Sequence, residues 1–583
     1  MPQGFSQASG ARWWLLLATK IVLLAAFVIL TNYGFLERVY LLWENSRWFT
    51  LSFFVGIWGL GLLALLVAAF QPRLPIRTFW ALLLGASGAF GYGFFVASHS
   101  DLTVLDIISL WAAKHETGHA VDFYRNAFVL GGIAMLVGVL AILLPLPLRS
   151  PAGRRWLTVG AFLPAIPIAM IIGILYIKSG GGSQALPRQY SAVAVGLVAG
   201  ERLYTTNMPA RGSVAIAPDR PQIRNILVLV DESVRPDYLD FTPGNAFTPN
   251  LPGLASRFVN YGPASSGGNC SSYSNAILRL ATSDRDLVST AQTSPTLWQY
   301  AKKAGFRTVY INAHSGASSD PGSLHDFMTA KETRDIDSFK VASDVEPAQN
   351  DFELIQFVKK ELEGPEPVFI FANKNGAHFP YDLMYPKDER VYRPISTEAG
   401  LELPYRLDSY RNVIRWSVDH FFDRFFKEID LSHTAVIYTS DHGQYLADQE
   451  LTHCTIEDPD PRQGYVPMMT VTDDTALKAR FEAGAELTRG HATHFQITPT
   501  VLELMGYRKA DLDKVYGPSL FERAEDNNAF TSGDIFGLFK QEANWHPIDL
   551  SKDYLEPQAK AMRPADPAPL NTSVAPQKAA EAK

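Results

Sequence analysis

Residues Asn225-Ile226-Leu227-Val228-Leu229-Val230-Asp231-Glu232 run through five consecutive apolar positions straight into two carboxylates. An apolar run with no polar alternation reads as a strand buried on both faces, the habit of parallel sheets. A second run, Ala435-Val436-Ile437-Tyr438-Thr439-Ser440, ends in Asp441-His442-Gly443. A third, Val368-Phe369-Ile370-Phe371, leads through Asn373-Lys374-Asn375-Gly376-Ala377 to His378. Thr308–Asn312 and Met468–Thr472 are further candidate strands, and helical patterns cover Ser294–Ala304, Phe352–Leu362, Ser409–Ile429 and Phe495–Met505. This alternation predicts an α/β domain with a largely parallel sheet. Ligands of such sheets sit beyond the carboxyl ends of the strands. Three strand ends therefore deliver a carboxylate, a carboxylate–imidazole pair and an imidazole to one edge. That set suits Zn²⁺, with Mn²⁺ or Mg²⁺ less favoured once a histidine takes part.

Outward from this domain the chain changes character. Its 583 residues are 47% hydrophobic and only 19% charged, with a formal net charge of −7 and a mean hydropathy of zero. The average conceals two parts: residues 1–178 carry 12 Lys+Arg against 6 Asp+Glu, and the other 405 carry 40 against 53. Five apolar stretches occupy the first part, at Trp13–Leu30, Trp48–Phe70, Phe79–Ala97, Asn126–Leu148 and Trp156–Ile177. Each approaches the ~20 residues a helix needs to cross ~30 Å of hydrocarbon. A soluble one-core protein, a disordered chain and a nucleic-acid binder fit this composition poorly. Two cysteines exclude a disulfide framework.

The loop with Arg73 and Arg77 and the loop with Arg149, Arg154 and Arg155 are purely basic, whereas the other two loops mix acids with bases. The positive-inside rule puts the basic loops in the cytoplasm, so five spans leave the polar remainder on the far side. The expected organisation is a five-span transmembrane domain over 1–178 and a linker with an interfacial helix over 179–222. The α/β domain covers 223–555, and a disordered Pro/Ala-rich tail covers 556–583.

A nucleophile is sought in Ser265-Ser266-Gly267-Gly268-Asn269-Cys270-Ser271-Ser272-Tyr273-Ser274-Asn275, which precedes the apolar helical run Ala276–Leu280. A hydroxyl or thiol there lies at a helix N-terminus, which favours anions. A plain N-cap in a serine-rich turn accounts for the same residues.

The stretch Val230-Asp231-Glu232-Ser233-Val234-Arg235-Pro236-Asp237-Tyr238-Leu239 resembles the opening of the sulfatase/alkaline-phosphatase superfamily. It is closest to the "VGET-x-R-x-D" of membrane phosphoethanolamine transferases, the lipid A and colistin-resistance type. Tyr438-Thr439-Ser440-Asp441-His442-Gly443 resembles their "SDHGE", and the run from His494 to Leu504 resembles the superfamily's late "H-x-x-I-x-P-T-L-L-x-L". The resemblance implies an alkaline-phosphatase-like fold with Glu232, Asp441, His442 and Ser271 around the metal, Ser271 being the nucleophile where the lipid A enzymes have Thr. His378 and His453 correspond to family histidines that contact the phospho-substrate or a second metal. Gln444 departs from the family's Glu, and Asp231 from its Gly. The sulfatase pattern C-x-P-x-R is absent around Cys270, which argues against a formylglycine and sulfate-ester hydrolysis. Cys270 adjoins Ser271 and Cys454 adjoins His453, so outside the cytoplasm they form either one disulfide near the site or two free thiols.

The implied activity is transfer of a phosphoethanolamine headgroup from a membrane phospholipid, in first place phosphatidylethanolamine. It passes through a phospho-serine intermediate to lipid A, a glycan or another envelope lipid. The implied setting is the bacterial inner membrane, multi-pass, with the catalytic domain periplasmic and the chain a monomer whose partners are lipids. Glycerophosphate transfer and phosphodiester hydrolysis use the same ligands. From a different class, His115-Glu116-Thr117-Gly118-His119 matches the H-E-x-x-H of zinc proteases. The resemblance reads Glu116-Thr117 instead as a pair whose Thr117 contacts the headgroup. A non-catalytic membrane sensor on a degenerate scaffold is the third class.

Overall fold

The computed structural model describes residues 4–561 except 33, 45, 99–100, 113–124, 147–149, 206–208, 246, 315–326, 330, 343–344, 400–401, 448–451, 457, 526–527 and 541. A bundle of apolar helices comes first, then an α/β domain.

The domain is built on one eight-stranded sheet in the order β4-β3-β5-β1-β6-β7-β2-β8. Its strands are β1 (Asn225–Asp231), β2 (Phe258–Ser265), β3 (Arg307–Asn312), β4 (Ser338–Val341), β5 (Val368–Asn373), β6 (Thr434–Ser440), β7 (Tyr465–Val471) and β8 (Ala492–Thr493). The sheet is mixed, which corrects the expectation of a largely parallel one only at one side. From β4 to β6 every pair is parallel, but β7 runs antiparallel to both β6 and β2. Residues of β1 alternate between two cores: Leu227 and Leu229 pack on one face, and Ile226, Val228 and Val230 on the other. Burial on both faces is why the run carries no polar alternation. β1 lies between β5 and β6, so Val230 is level with Asn373 and Asp231 with Ser440. Glu232, Asp441 and the His378 loop thus emerge side by side.

Among the described residues, four helices are long and apolar enough to cross a membrane, where five spans were expected: Arg12–Thr31, Trp48–Ala69, Leu74–Ala97 and Arg125–Leu143. The stretch expected as a fifth span is broken into Pro151–Val159 and Ala165–Ile177. Gly160 caps the first piece and Pro164 precedes the second, and prolines cannot carry the helical hydrogen-bond ladder across the break. At 1.5 Å per residue the second piece is about 20 Å long.

The expected linker holds a helix, Arg188–Thr205, that packs into the bundle through Tyr190, Val195 and Val198. Arg188 fastens its start, bonding Asp101 at 2.5 Å and the Thr31 carbonyl at 3.0 Å. Phe327, Ile456, Leu538 and Phe539 of the polar part pack on the same cluster. The first residues of the segment expected as a tail are folded onto the domain. Glu556 is buried against Arg235 and Tyr238, and Pro557–Ala561 is helical with Ala559 buried.

Candidate active site

The end of β1 is shaped around Glu232. Ser233 takes a left-handed backbone, φ 60°, a conformation that costs energy for a residue with a side chain and recurs at functional sites. That turn lets the Ser233 hydroxyl donate to Glu232 Oε1 at 2.6 Å and its backbone N–H donate to Asp441 Oδ1 at 3.1 Å. The His442 N–H also donates to Asp441 Oδ1, at 2.7 Å. Each carboxylate therefore has one oxygen held in place. The other oxygens, Glu232 Oε2 and Asp441 Oδ2, are buried without a hydrogen-bond partner. A buried carboxylate oxygen left bare is costly unless a cation occupies the space before it.

His442 completes the group. Its Nδ1 lies 2.7 Å from the Gly443 carbonyl, an acceptor only, so Nδ1 carries a proton and Nε2 is the ring atom turned to the site. Nε2 stands 3.4 Å from Glu232 Oε1, 3.7 Å from Asp441 Oδ2 and 3.0 Å from the Ser271 hydroxyl. Ligand atoms of Glu232, Asp441 and His442 all fall within 4.8 Å of one another, the one such group among the described residues. Gly443 is required here, because a Cβ would lie 2.1 Å from the Arg462 carbonyl. The three groups are electrostatically linked. Burial opposes charge on His442, but Asp441 and Glu232 outweigh it and lift the imidazole to about 9. Burial likewise opposes charge on Glu232, yet His442, His378 and His314 hold it well below the ordinary carboxylate range. Asp441, buried and facing Glu232, is pushed well above it. Two carboxylates, an imidazole and a hydroxyl with bare inward atoms fit a divalent cation in donor type and number.

Ser271 opens the helix Ser271–Arg279, with Cys270 as its extended N-cap. Cys270 and Cys454 form a disulfide, which resolves the alternatives left open by sequence. The Cys454 N–H donates to the Asn269 carbonyl at 2.8 Å, and Asn269 Nδ2 to the Thr455 carbonyl at 2.7 Å. These ties bring His453 onto the site, its ring stacked 4.5 Å from that of His442. His378 is half-buried, and its charge bears on Glu232.

One residue escaped the sequence reading: His314, two positions past β3, whose Nε2 is 3.6 Å from Glu232 Oε2 and whose ring is 6.2 Å from that of His378. Its signal is the same as at the other strands, an imidazole just beyond the carboxyl end of the apolar run Thr308–Asn312. Gln444 points away, donating to the Tyr381 hydroxyl, so this departure removes no ligand. His494 is a structural post. Its Nδ1 accepts from the Gly267 N–H at 3.0 Å and its Nε2 meets the Thr439 hydroxyl at 2.9 Å, and burial pushes it down to about 3. His115, Glu116, Thr117 and His119 lie outside the described residues.

Residues 224–507 match the family model described as Sulfatase. The Kdo(2)-lipid A phosphoethanolamine 7''-transferase of Escherichia coli (strain K12) is 28% identical over 152 residues, 24% of this chain and 27% of that protein. The protein of the same name from Salmonella typhimurium is 27% identical over 149 residues, 24% of this chain and 26% of that one. The chain thus matches about a quarter of the length of these curated relatives. The integral membrane protein lipooligosaccharide phosphoethanolamine transferase A from Neisseria meningitidis shares the fold with a TM-score of 0.59 at 18% identity. That superposition covers 88% of this chain and 98% of the other, so it takes in apolar helices as well as the α/β domain. Residues 224–507 are thus similar to the Sulfatase family, and the chain shares its fold with a membrane phosphoethanolamine transferase.

Proposed function

We propose that this protein transfers phosphoethanolamine from a membrane phospholipid, phosphatidylethanolamine, to lipid A or another envelope acceptor through a covalent intermediate on Ser271. The observation that carries the reading is the Ser271 hydroxyl at the head of its helix, 3.0 Å from His442 Nε2 and beside two half-bare buried carboxylates. Zn²⁺ is the cation the donor set favours, held by Glu232, Asp441, His442 and Ser271. When bound, it lowers the pKa of the hydroxyl and offsets charge on the phosphoryl group. Ser271 Oγ gives its proton to solvent and attacks phosphorus. An Oγ–P bond forms and the bond from phosphorus to the diacylglycerol oxygen breaks. His378 or His453 supplies the proton that oxygen needs, leaving a phosphoethanolamine–serine diester. The acceptor oxygen then attacks the same phosphorus, giving its proton to the histidine that protonated the diacylglycerol oxygen, and Ser271 Oγ departs and takes that proton. The helix N-terminus stabilises the anionic phosphoryl oxygens throughout.

The α/β domain sits on the periplasmic side of the bacterial inner membrane. The basic loops at Arg73–Arg77 and Arg154–Arg155 support this, as does the Cys270–Cys454 disulfide, which persists in oxidising compartments. The broken segment 151–177 serves as the fifth crossing.

The test is lipid mass spectrometry of the purified chain in vesicles holding phosphatidylethanolamine, phosphatidylglycerol and lipid A. Phosphoethanolamine on lipid A with matching diacylglycerol is the expected product. Ser271→Ala lowers it by at least about a thousand-fold, as nucleophile removal does, while Ser271→Thr retains it. Glycerophosphate on the acceptor, or full activity in Ser271→Ala, would contradict the assignment.

A further inference from the structure

A second charged network lies outside the metal-ligand group and joins β1 to the His378 loop. Lys374, just past β5, is fully buried. Its ammonium donates to Asp231 Oδ2 at 2.6 Å and to the Ser417 carbonyl, and stands 3.7 Å from Asp351 Oδ2. The Phe421 ring closes another side, its centroid 4.1 Å away. Asp231 accepts from the Tyr438 hydroxyl at 2.9 Å and, through Oδ1, from the Glu232 N–H at 3.1 Å. Asp351 accepts from the N–H groups of Asn375 at 2.6 Å and Gly376 at 3.2 Å. Each aspartate thus faces Lys374 on one side and, on the other, the backbone of a segment bearing a site residue.

The backbone is shaped to this network. Ser417 lies in a single π turn, Arg415–His420, inserted between the helices Leu403–Ile414 and Phe421–Glu428. Such turns shift the helical register locally and concentrate at functional sites. Gly376, at φ 51°, comes so close that a Cβ would lie 2.3 Å from Asp231 Oδ1 and 2.6 Å from the Glu232 nitrogen. The Ala377 N–H donates to the Glu232 carbonyl at 2.9 Å, and the Lys374 N–H to that of Val230 at 2.8 Å. Burying three charges gives no more stability than good apolar packing, so position is the better reason to keep them.

We propose that Lys374 is a positioning residue of the metal centre: by holding Asp231 and Asp351 together, it fixes the Glu232 carboxylate and the His378 loop relative to each other. This rests on reading Glu232, Asp441 and His442 as the metal site.

The test uses the purified full chain and two variants. Lys374→Met removes the ammonium but keeps the stem. Asp231→Asn combined with Lys374→Met removes the closest charge pair together and leaves Asp351 to its two backbone N–H bonds. Zinc affinity is read by chelator competition, ligand geometry by the visible spectrum of the cobalt(II)-loaded protein, and transfer by kcat and KM separately. In both variants zinc affinity falls by about ten-fold or more, the cobalt bands shift, and kcat falls while KM stays within about two-fold. The single variant also melts earlier, and the double variant regains most of that stability. A double variant with wild-type zinc affinity and cobalt spectrum would overturn the proposal, leaving the network purely structural. A wild-type chain that binds zinc but transfers nothing would overturn the function reading alone, because the affinity and spectral readouts need no turnover. A wild-type chain that binds no zinc would overturn both.

Discussion

Ser233, Asp441 and His442 show how single residues prepare the site. Ser233 accepts a left-handed backbone so that its hydroxyl and N–H hold one oxygen of each carboxylate, and the other oxygens are left bare. His494 makes the opposite choice, remaining neutral in a fully buried pair of hydrogen bonds. Burial depresses it to about 3 in the folded chain, against an ordinary value of 6.5. The unfolded state therefore binds the extra proton, and the stability tied to this residue is complete above pH 6.5 and lost as pH falls towards 3. Between pH 7.5 and 5 the loss is about 2 kcal/mol, at 1.36 kcal/mol per pH unit below 6.5. Denaturant titrations of the domain's tryptophan fluorescence at these two pH values are expected to show it. His494→Gln flattens this part of the slope, and an unchanged slope would contradict the assignment.

At the scale of elements, legibility in the sequence tracks burial. β1, β5 and β6 are apolar runs buried on both faces, and they were legible together with the site residues at their ends. β2 was not, because Gly262 and Pro263 interrupt it at a register shift against β7. β4 is four residues long and only half-buried, too little pattern for a strand. His314 carries the same signal as His442, an imidazole two residues past its strand, but without a carboxylate beside it to single it out, and Lys374 is hidden because a charge buried among charges leaves no periodic signature. The C-terminal segment is illegible for a similar reason: proline and alanine content says nothing of Glu556 reaching back to Arg235. That guanidinium is fully buried, bonded also to Asp237 and to the Tyr554 carbonyl at 2.9 Å. Glu556→Ala leaves it only partly compensated, and a loss of about 3 kcal/mol in domain stability is expected from a thermal melt. An unchanged melting temperature would show that the contact is incidental.

Across the whole molecule, the division between a cationic apolar part and an acidic α/β part becomes a division of labour. Under the proposed function, the helices keep the site at the lipid surface, where a lipid donor and acceptor both reside. The two parts meet through apolar contacts, with Arg202 held between the rings of Tyr176 at 4.8 Å and Phe539 at 4.9 Å. Phe539→Ala is expected to weaken this seam and lower transfer from bilayer donors while leaving zinc affinity unchanged. Equal losses in both would place Phe539 in the stability of the catalytic domain instead. The central claim is a covalent step on Ser271, and intact-mass analysis of the chain purified from its membrane tests it most directly. A phosphoethanolamine adduct that maps to Ser271 and is missing from Ser271→Ala is the predicted result. A chain that turns over donor lipid with no adduct on Ser271, even when the acceptor is withheld, would contradict it.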